Sequence, residues 1–217
     1  MSEVRHGTPL FHGGDLVSAS QDTGIPIDHW IDLSTGISPY AYPAHTLPTE
    51  AFTRLPYLDE AFKNSAAEYY GSKQFVALPG TQTAIQLLPK ILPKLPILLP
   101  SIGYQEHAHA WKSSGNTLST YNALDNDSAL SDIEECIQKH PQQHLLIINP
   151  NNPSTLCFTP TQLRTWAQQL GQDAYLIVDE AFIDTSPENS LLDMPSASDA
   201  NSIVLRSFGK FFGLAGL

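Results

Sequence analysis

Between residues 75 and 205, short apolar runs alternate with stretches of helical periodicity, and this alternation leaves few architectures open. The runs at 75–78, 95–99, 117–121, 144–148, 174–178 and 202–205 read as strands. The stretches at 81–91, 104–113, 130–139, 160–170 and 190–200 read as helices. Such spacing builds βαβ units, so the expected fold is α/β, a three-layer αβα arrangement around a mainly parallel sheet. Leu145-Leu146-Ile147-Ile148 and Tyr175-Leu176-Ile177-Val178 are apolar throughout, as strands covered on both faces require. Pro89, inside the first helical stretch, is expected to kink it or end it early.

Residues 1–58 have a different texture. Gly, Pro, Ser and Thr are dense and apolar periodicity is weak, so this part reads as an irregular arm. Its aromatics, among them Trp30, Tyr40 and Tyr42, suggest that it docks on something. Residues 59–217 then form the main domain. It opens with a helix that starts at Asp59 and is closed by Gly71.

The chain has 11 Lys and Arg against 22 Asp and Glu, a net charge of −11. The cations are scattered from Arg5 to Lys210, which argues against nucleic acid or an anionic membrane as partner. The N-terminus lacks the apolar core of a signal peptide, and the most apolar stretch, 91–100, is broken by Pro93, Lys94 and Pro96. Cys136 and Cys157 are too few for a disulfide framework or a Cys-based zinc site. Both read as reduced, in the cytoplasm. His107 and His109, two apart on a helix, face opposite sides, so no metal site is expected there.

In an open α/β sheet, ligands gather at the C-terminal ends of the strands. Four such ends carry polar groups. Pro79-Gly80-Thr81-Gln82 opens a helix, Asn149-Pro150-Asn151-Asn152-Pro153 follows one strand, Asp179-Glu180-Ala181-Phe182 another, and Arg206-Ser207-Phe208-Gly209-Lys210 the last. Each has an ordinary reading by itself. Asp179 could cap the next segment, Asn149 to Pro153 could be a turn, Gly80-Thr81 a helix start, and Tyr104 plain packing. Four such accidents at successive strand ends are a poor joint explanation.

In this order and register the motifs resemble the fold type I enzymes that depend on pyridoxal 5′-phosphate (PLP). The resemblance implies a role for each residue. Lys210 would hold the cofactor aldehyde covalently and move protons. Asp179 would keep the pyridine nitrogen protonated, Asn152 would donate to the 3′-oxygen, and Tyr104 would stack on the ring. Gly80, Thr81, Gln82 and Ser207 would cradle the phosphate, as helix N-termini suit anions.

The arm narrows the likeness. Phe11-His12-Gly13-Gly14-Asp15, then Ile31-Asp32-Leu33-Ser34-Thr35-Gly36-Ile37-Ser38-Pro39, with Tyr104-Gln105-Glu106-His107, resemble the threonine-phosphate decarboxylases of cobalamin biosynthesis. These are relatives of histidinol-phosphate aminotransferase. The resemblance implies a small phosphorylated amino acid as substrate, contacts to it from His12 and Gly36, loss of CO2 from L-threonine O-3-phosphate, and a homodimer. Transamination of the histidinol-phosphate type and a non-catalytic fragment retaining the fold are the alternatives.

Three positions depart from the pattern. Phe182 stands where many aminotransferases have a tyrosine, Leu55-Pro56 where many have Tyr-Pro, and Ser38 where Asn is usual. The chain also stops at Leu217, where the family continues with an arginine for the cofactor phosphate and a C-terminal domain. A truncated chain or gene fragment is therefore expected, one that folds its large domain yet binds PLP poorly.

Overall fold

The computed structural model describes residues 12–193 and 200–216. Five strands form one sheet: β1 (Ile97–Pro100), β2 (Leu118–Tyr121), β3 (His144–Ile148), β4 (Leu176–Asp179) and β5 (Ser202–Leu205). Their order is β2-β1-β3-β4-β5, and every neighbouring pair is parallel. The α/β expectation is met.

Helices cover both faces, because successive side chains of a strand point to opposite sides. On one face α6 (Asn126–Lys139) and α7 (Pro160–Gln169) bring Ile133, Ile137, Leu163 and Trp166 onto Leu98, Leu145, Ile147, Leu176 and Val178. On the other, α4 (Thr81–Ile91) and α5 (Gln105–Ser113) bring Ile85, Leu88, Ala110 and Trp111 onto Ile97, Leu99, Leu146, Ile148 and Ile177. The chain moves from β1 outward to β2, then back past β1 to β3. That reversal falls between β1 and β3, and the C-terminal ends of the strands at such a switch point are the usual ligand position in these sheets.

Several elements differ from the sequence expectation for physical reasons. α4 runs to Ile91 despite Pro89. Proline removes one ladder bond, here in the last turn, and Leu88 and Pro89 are buried against the sheet while Leu92 N–H still reaches the Leu88 carbonyl. α6 begins at Asn126 rather than 130 because the Asp125 side chain accepts from Ser128 N–H and caps it. Residues 75–78 form no strand: Val76 is 80% exposed, and only the Phe75 ring packs, against Phe62. No helix starts at 190, since the Ser190 hydroxyl and the Leu191 N–H both donate to the Glu180 carboxylate; the rest of that expected helix, 194–199, lies outside the described residues.

α3 (Glu60–Tyr70) forms as expected, capped by Asp59 and closed by Gly71. The arm is less irregular than its composition suggests. Leu16–Thr23 form a helix, α1, capped by Asp15 and closed by Gly24, and Glu50–Thr53 make a single turn, α2. The arm docks on the segment after β5: Ser38 N–H donates to the Lys210 carbonyl at 2.9 Å and Tyr42 N–H to the Phe212 carbonyl at 2.7 Å. No helix among the described residues is long and apolar enough to cross a membrane.

Candidate active site

Ile148, Asp179 and Leu205 lie in one row across β3, β4 and β5, so the polar segments that follow these strands leave from a single edge. Asp179 ends β4 with its side chain 5% exposed. One carboxylate oxygen, Oδ2, is 2.7 Å from His107 Nε2, itself 3% exposed, and the other accepts from Ala181 N–H at 3.1 Å. A carboxylate taken out of water needs such partners. The Tyr104 ring meets the His107 ring edge-on at 6.2 Å. Residues 104 and 107 are three apart at the start of α5 and therefore share a face.

The start of α4 lies beside Tyr104. Gly80 takes φ 73°, ψ 157°, a conformation open to glycine, and no side chain caps the helix. The first-turn N–H groups of Thr81 and Gln82 therefore face outward with the positive end of the helix dipole, which suits an anion. The Tyr104 hydroxyl lies 3.4 Å from Gln82 Oε1. Gln82 Nε2 donates to Glu106 Oε2 at 2.7 Å, Gln86 Nε2 reaches the same oxygen at 3.3 Å, and His12 Nε2 is 2.8 Å from Glu106 Oε1. Burial pulls the Glu106 carboxyl upward, but the hydrogen bonds from His12 and Gln82 outweigh it and hold it below the usual range. Burial likewise pushes the Tyr104 phenol up, with Glu106 and Asp179 adding to the shift.

Lys210 belongs to a second group of contacts at the same edge. Its ammonium lies 5.6 Å from the centroid of the Phe182 ring, a cation–π arrangement. A Cβ on Gly36 would fall 2.6 Å and 2.8 Å from that ring, so only glycine lets the arm close over it. Ser207 Oγ accepts from Gly209 N–H and shapes the loop before the lysine. Asn152 follows β3 and is exposed. Its neighbours do the structural work: Asn149 bonds both backbone groups of Phe158, and Asn151 donates to the Ile102 carbonyl while its Oδ1 is buried without a partner.

Of the residues predicted from sequence, the contacts tie Gln82, Tyr104, His12 and Asp179 into one network through Glu106 and His107, and place Lys210 with Gly36 and Phe182. Gly80 and Thr81 sit at the head of the first group. Ser207 and Asn152 stand at the same edge without a direct contact to either. Sequence reasoning assigned no role to Glu106 or His107, although both fall in the motif with Tyr104; for His107 the three-residue helical spacing from Tyr104 was the available signal.

A further buried cluster steadies the lysine loop. Arg206, 12% exposed, ion-pairs with Glu180 at 3.4 Å and with Asp184, and its guanidinium lies 5.1 Å over the Tyr70 ring. Tyr69 donates to Asp184 at 2.7 Å. Burial, then the hydrogen bond and charge of Asp184, push the Tyr69 phenol up to about 12 against the opposing Arg206 charge. Burial also raises the Glu180 carboxyl, against opposing hydrogen bonds from Ser190 and Leu191 and the Arg206 charge.

Residues 28–217 match the aminotransferase class I and II family, and the chain belongs to it. Among curated relatives, it is 39% identical over 208 residues to the threonine-phosphate decarboxylase of Pseudomonas aeruginosa, covering 95% of this chain and 60% of that protein. It thus spans about three fifths of the length of that relative. Among solved structures, L-threonine-O-3-phosphate decarboxylase from Porphyromonas gingivalis superposes with a TM-score of 0.60 at 16% identity, over 71% of this chain and 48% of that one. Histidinol-phosphate aminotransferase from Sinorhizobium meliloti, in complex with pyridoxal-5′-phosphate, superposes with a TM-score of 0.57 at 23% identity, over 77% and 48%. These two likenesses speak for the fold.

Proposed function

We propose that this chain is the cofactor-binding part of a PLP-dependent threonine-phosphate decarboxylase. The observation that carries the reading is the buried Asp179–His107 pair beside an uncapped helix start and a half-exposed Tyr104 ring. The donor set fits the cofactor: a carboxylate for a ring nitrogen, amides for a phosphate, an aromatic face and an amine. The 39% identity to a threonine-phosphate decarboxylase supports the choice of reaction.

When bound, PLP supplies an electron sink for the bond broken at the substrate Cα. The Asp179 carboxylate, oriented by His107 Nε2, holds a proton at the pyridine nitrogen. Asn152 donates to the 3′-oxygen without help from a tyrosine, since Phe182 has no hydroxyl. The Thr81 and Gln82 amides and the Ser207 hydroxyl bind the cofactor phosphate, and Tyr104 covers the ring. The Lys210 amine would hold the cofactor and, when free of it, would return a proton at the substrate Cα in place of the lost carboxylate. His12 binds the phosphoryl group of L-threonine O-3-phosphate, and Gly36 lines the substrate side. The product is (R)-1-amino-2-propanol O-2-phosphate.

Pairing of two copies belongs to the same reading. The arm leaves Ile31 84%, Leu33 88% and Leu55 90% exposed, apolar surface that a second copy would cover. Sedimentation reads this directly.

The deciding experiment is borohydride reduction of the chain with PLP, followed by peptide mapping. An adduct on Lys210 supports the reading; another lysine, or none, favours a fragment that keeps only the fold. With the remaining two fifths of the relatives' length supplied, O-phosphothreonine should release CO2, whereas amino transfer to 2-oxoglutarate would point to an aminotransferase.

A further inference from the structure

Glu106 receives donors from two other segments at once. His12 comes from the arm, and Gln82 and Gln86 from α4, while Glu106 itself stands in the first turn of α5 with its side chain 13% exposed. Both carboxylate oxygens are used. A capping role alone would not need a histidine 94 residues away.

The other ring nitrogen of His12, Nδ1, has no hydrogen-bond partner among the described residues, and the side chain is 44% exposed. An ionised carboxylate only accepts, so Nε2 carries the proton in this contact. A neutral ring then leaves Nδ1 bare. A phosphate oxygen arriving there needs a donor, and imidazole donates at both nitrogens only as the cation. Glu106 is the counter-charge for that cation.

Resting on the reading above, we infer that Glu106 is a positioning residue: it orients His12 and supplies the counter-charge with which its imidazole binds the substrate's phosphoryl group. The same carboxylate grips Gln82, whose backbone heads the cofactor cradle. Glu106 therefore sets the arm's register against α4 and, through it, the distance between the phosphoryl group and the reacting carbon. Tyr104, 5.7 Å from the His12 ring between centroids, lines this approach.

The test is calorimetric titration of the PLP-treated chain with O-phospho-L-threonine and with L-threonine. The wild-type chain should prefer the phosphorylated compound. Glu106→Gln, which keeps the shape and removes the charge, should weaken O-phosphothreonine about tenfold and leave threonine unchanged. In a His12→Gln background the same change should cost nothing more, because the two act as one unit. Equal weakening of both ligands, or tighter binding of the phosphorylated one, overturns the inference. If Glu106→Gln does not fold, Glu106→Asp keeps the charge but shortens the reach; a smaller loss confined to O-phosphothreonine supports the inference and a loss on both ligands overturns it. A wild-type chain without phosphate preference overturns this inference together with the proposed substrate. Loss of preference in Glu106→Gln without any Lys210 adduct would sink the cofactor reading and leave this one standing.

Discussion

Arg206→Met removes the one cation of a buried trio and keeps the apolar length of the side chain, so the charge is tested apart from the packing on Tyr70. Glu180 and Asp184 side chains are 0% and 2% exposed. The relevant scale is therefore that of a broken buried pair, about 3–5 kcal/mol, rather than the 0–1 kcal/mol of an exposed one. Against a typical folding free energy of about 5–15 kcal/mol this is a large fraction. The loss should also depend on pH. Burial already raises the Glu180 carboxyl, and without the guanidinium it rises further. A carboxyl raised above its unfolded value, about 4.3, contributes stability below that value and loses it as pH rises through the folded one. The deficit of Arg206→Met should therefore widen from pH 5 to pH 7.

Urea unfolding of both proteins at the two pH values, followed by fluorescence of the buried Trp111 and Trp166, measures this difference. A deficit under about 1 kcal/mol at pH 7, or one identical at pH 5, would refute the reasoning, because it would mean the two carboxylates do not need the arginine. Arg206 also directly precedes Ser207 and the loop to Lys210, so slower trapping of PLP on Lys210 should accompany the lost stability.

Three smaller perturbations test neighbouring parts of the argument. Gly36→Ala places a Cβ within 2.8 Å of the Phe182 ring, and should cost about 1–3 kcal/mol in urea unfolding while loosening the arm. His107→Phe leaves the Asp179 carboxylate with the Ala181 N–H alone; a loss of about 1–3 kcal/mol and weaker PLP retention, read by absorbance, are expected. His144 is buried in β3, accepting from Tyr175 N–H at Nδ1 and therefore donating from Nε2 to the Pro93 carbonyl. Burial lowers its pKa despite that carbonyl, so its contribution is present above about pH 6.5 and is lost as pH falls through the folded value. In His144→Gln the wild-type decline in stability just below pH 6.5 should flatten.

The parallel sheet was legible because its strands are apolar without interruption, which only double-sided burial explains. The ends of β3 and β4 were legible for the complementary reason: Asn149 and Asp179 are buried polar groups set against apolar runs, and such groups need specific partners, whereas Gly80 follows a run that forms no strand. What local pattern could not show was competition from distant groups. Residues 190–193 have helical spacing, yet Ser190 and Leu191 are claimed by Glu180. Val76 has a strand-former's shape, but no strand among the described residues lies beside it. α1 was missed although Asp15 and Gly24 bracket it, because the apolar stripe between them is thin and none of its residues is buried.

The same limit explains why Asp179 looked ambiguous and why that ambiguity was not an error. Its Oδ1 does accept a backbone N–H two residues on, the ordinary behaviour of an aspartate after a strand. Its Oδ2 meets His107, 72 residues earlier in the chain. That second contact exists because β3 and β4 join the sheet on the far side of β1 from β2, so the face that α5 covers includes Ile148 and Ile177 and His107 can reach the end of β4. A different strand order would leave Asp179 a turn residue and nothing more. The chemistry of the site is thus a consequence of topology, and a local sequence window can supply the carboxylate but not the histidine that makes it useful.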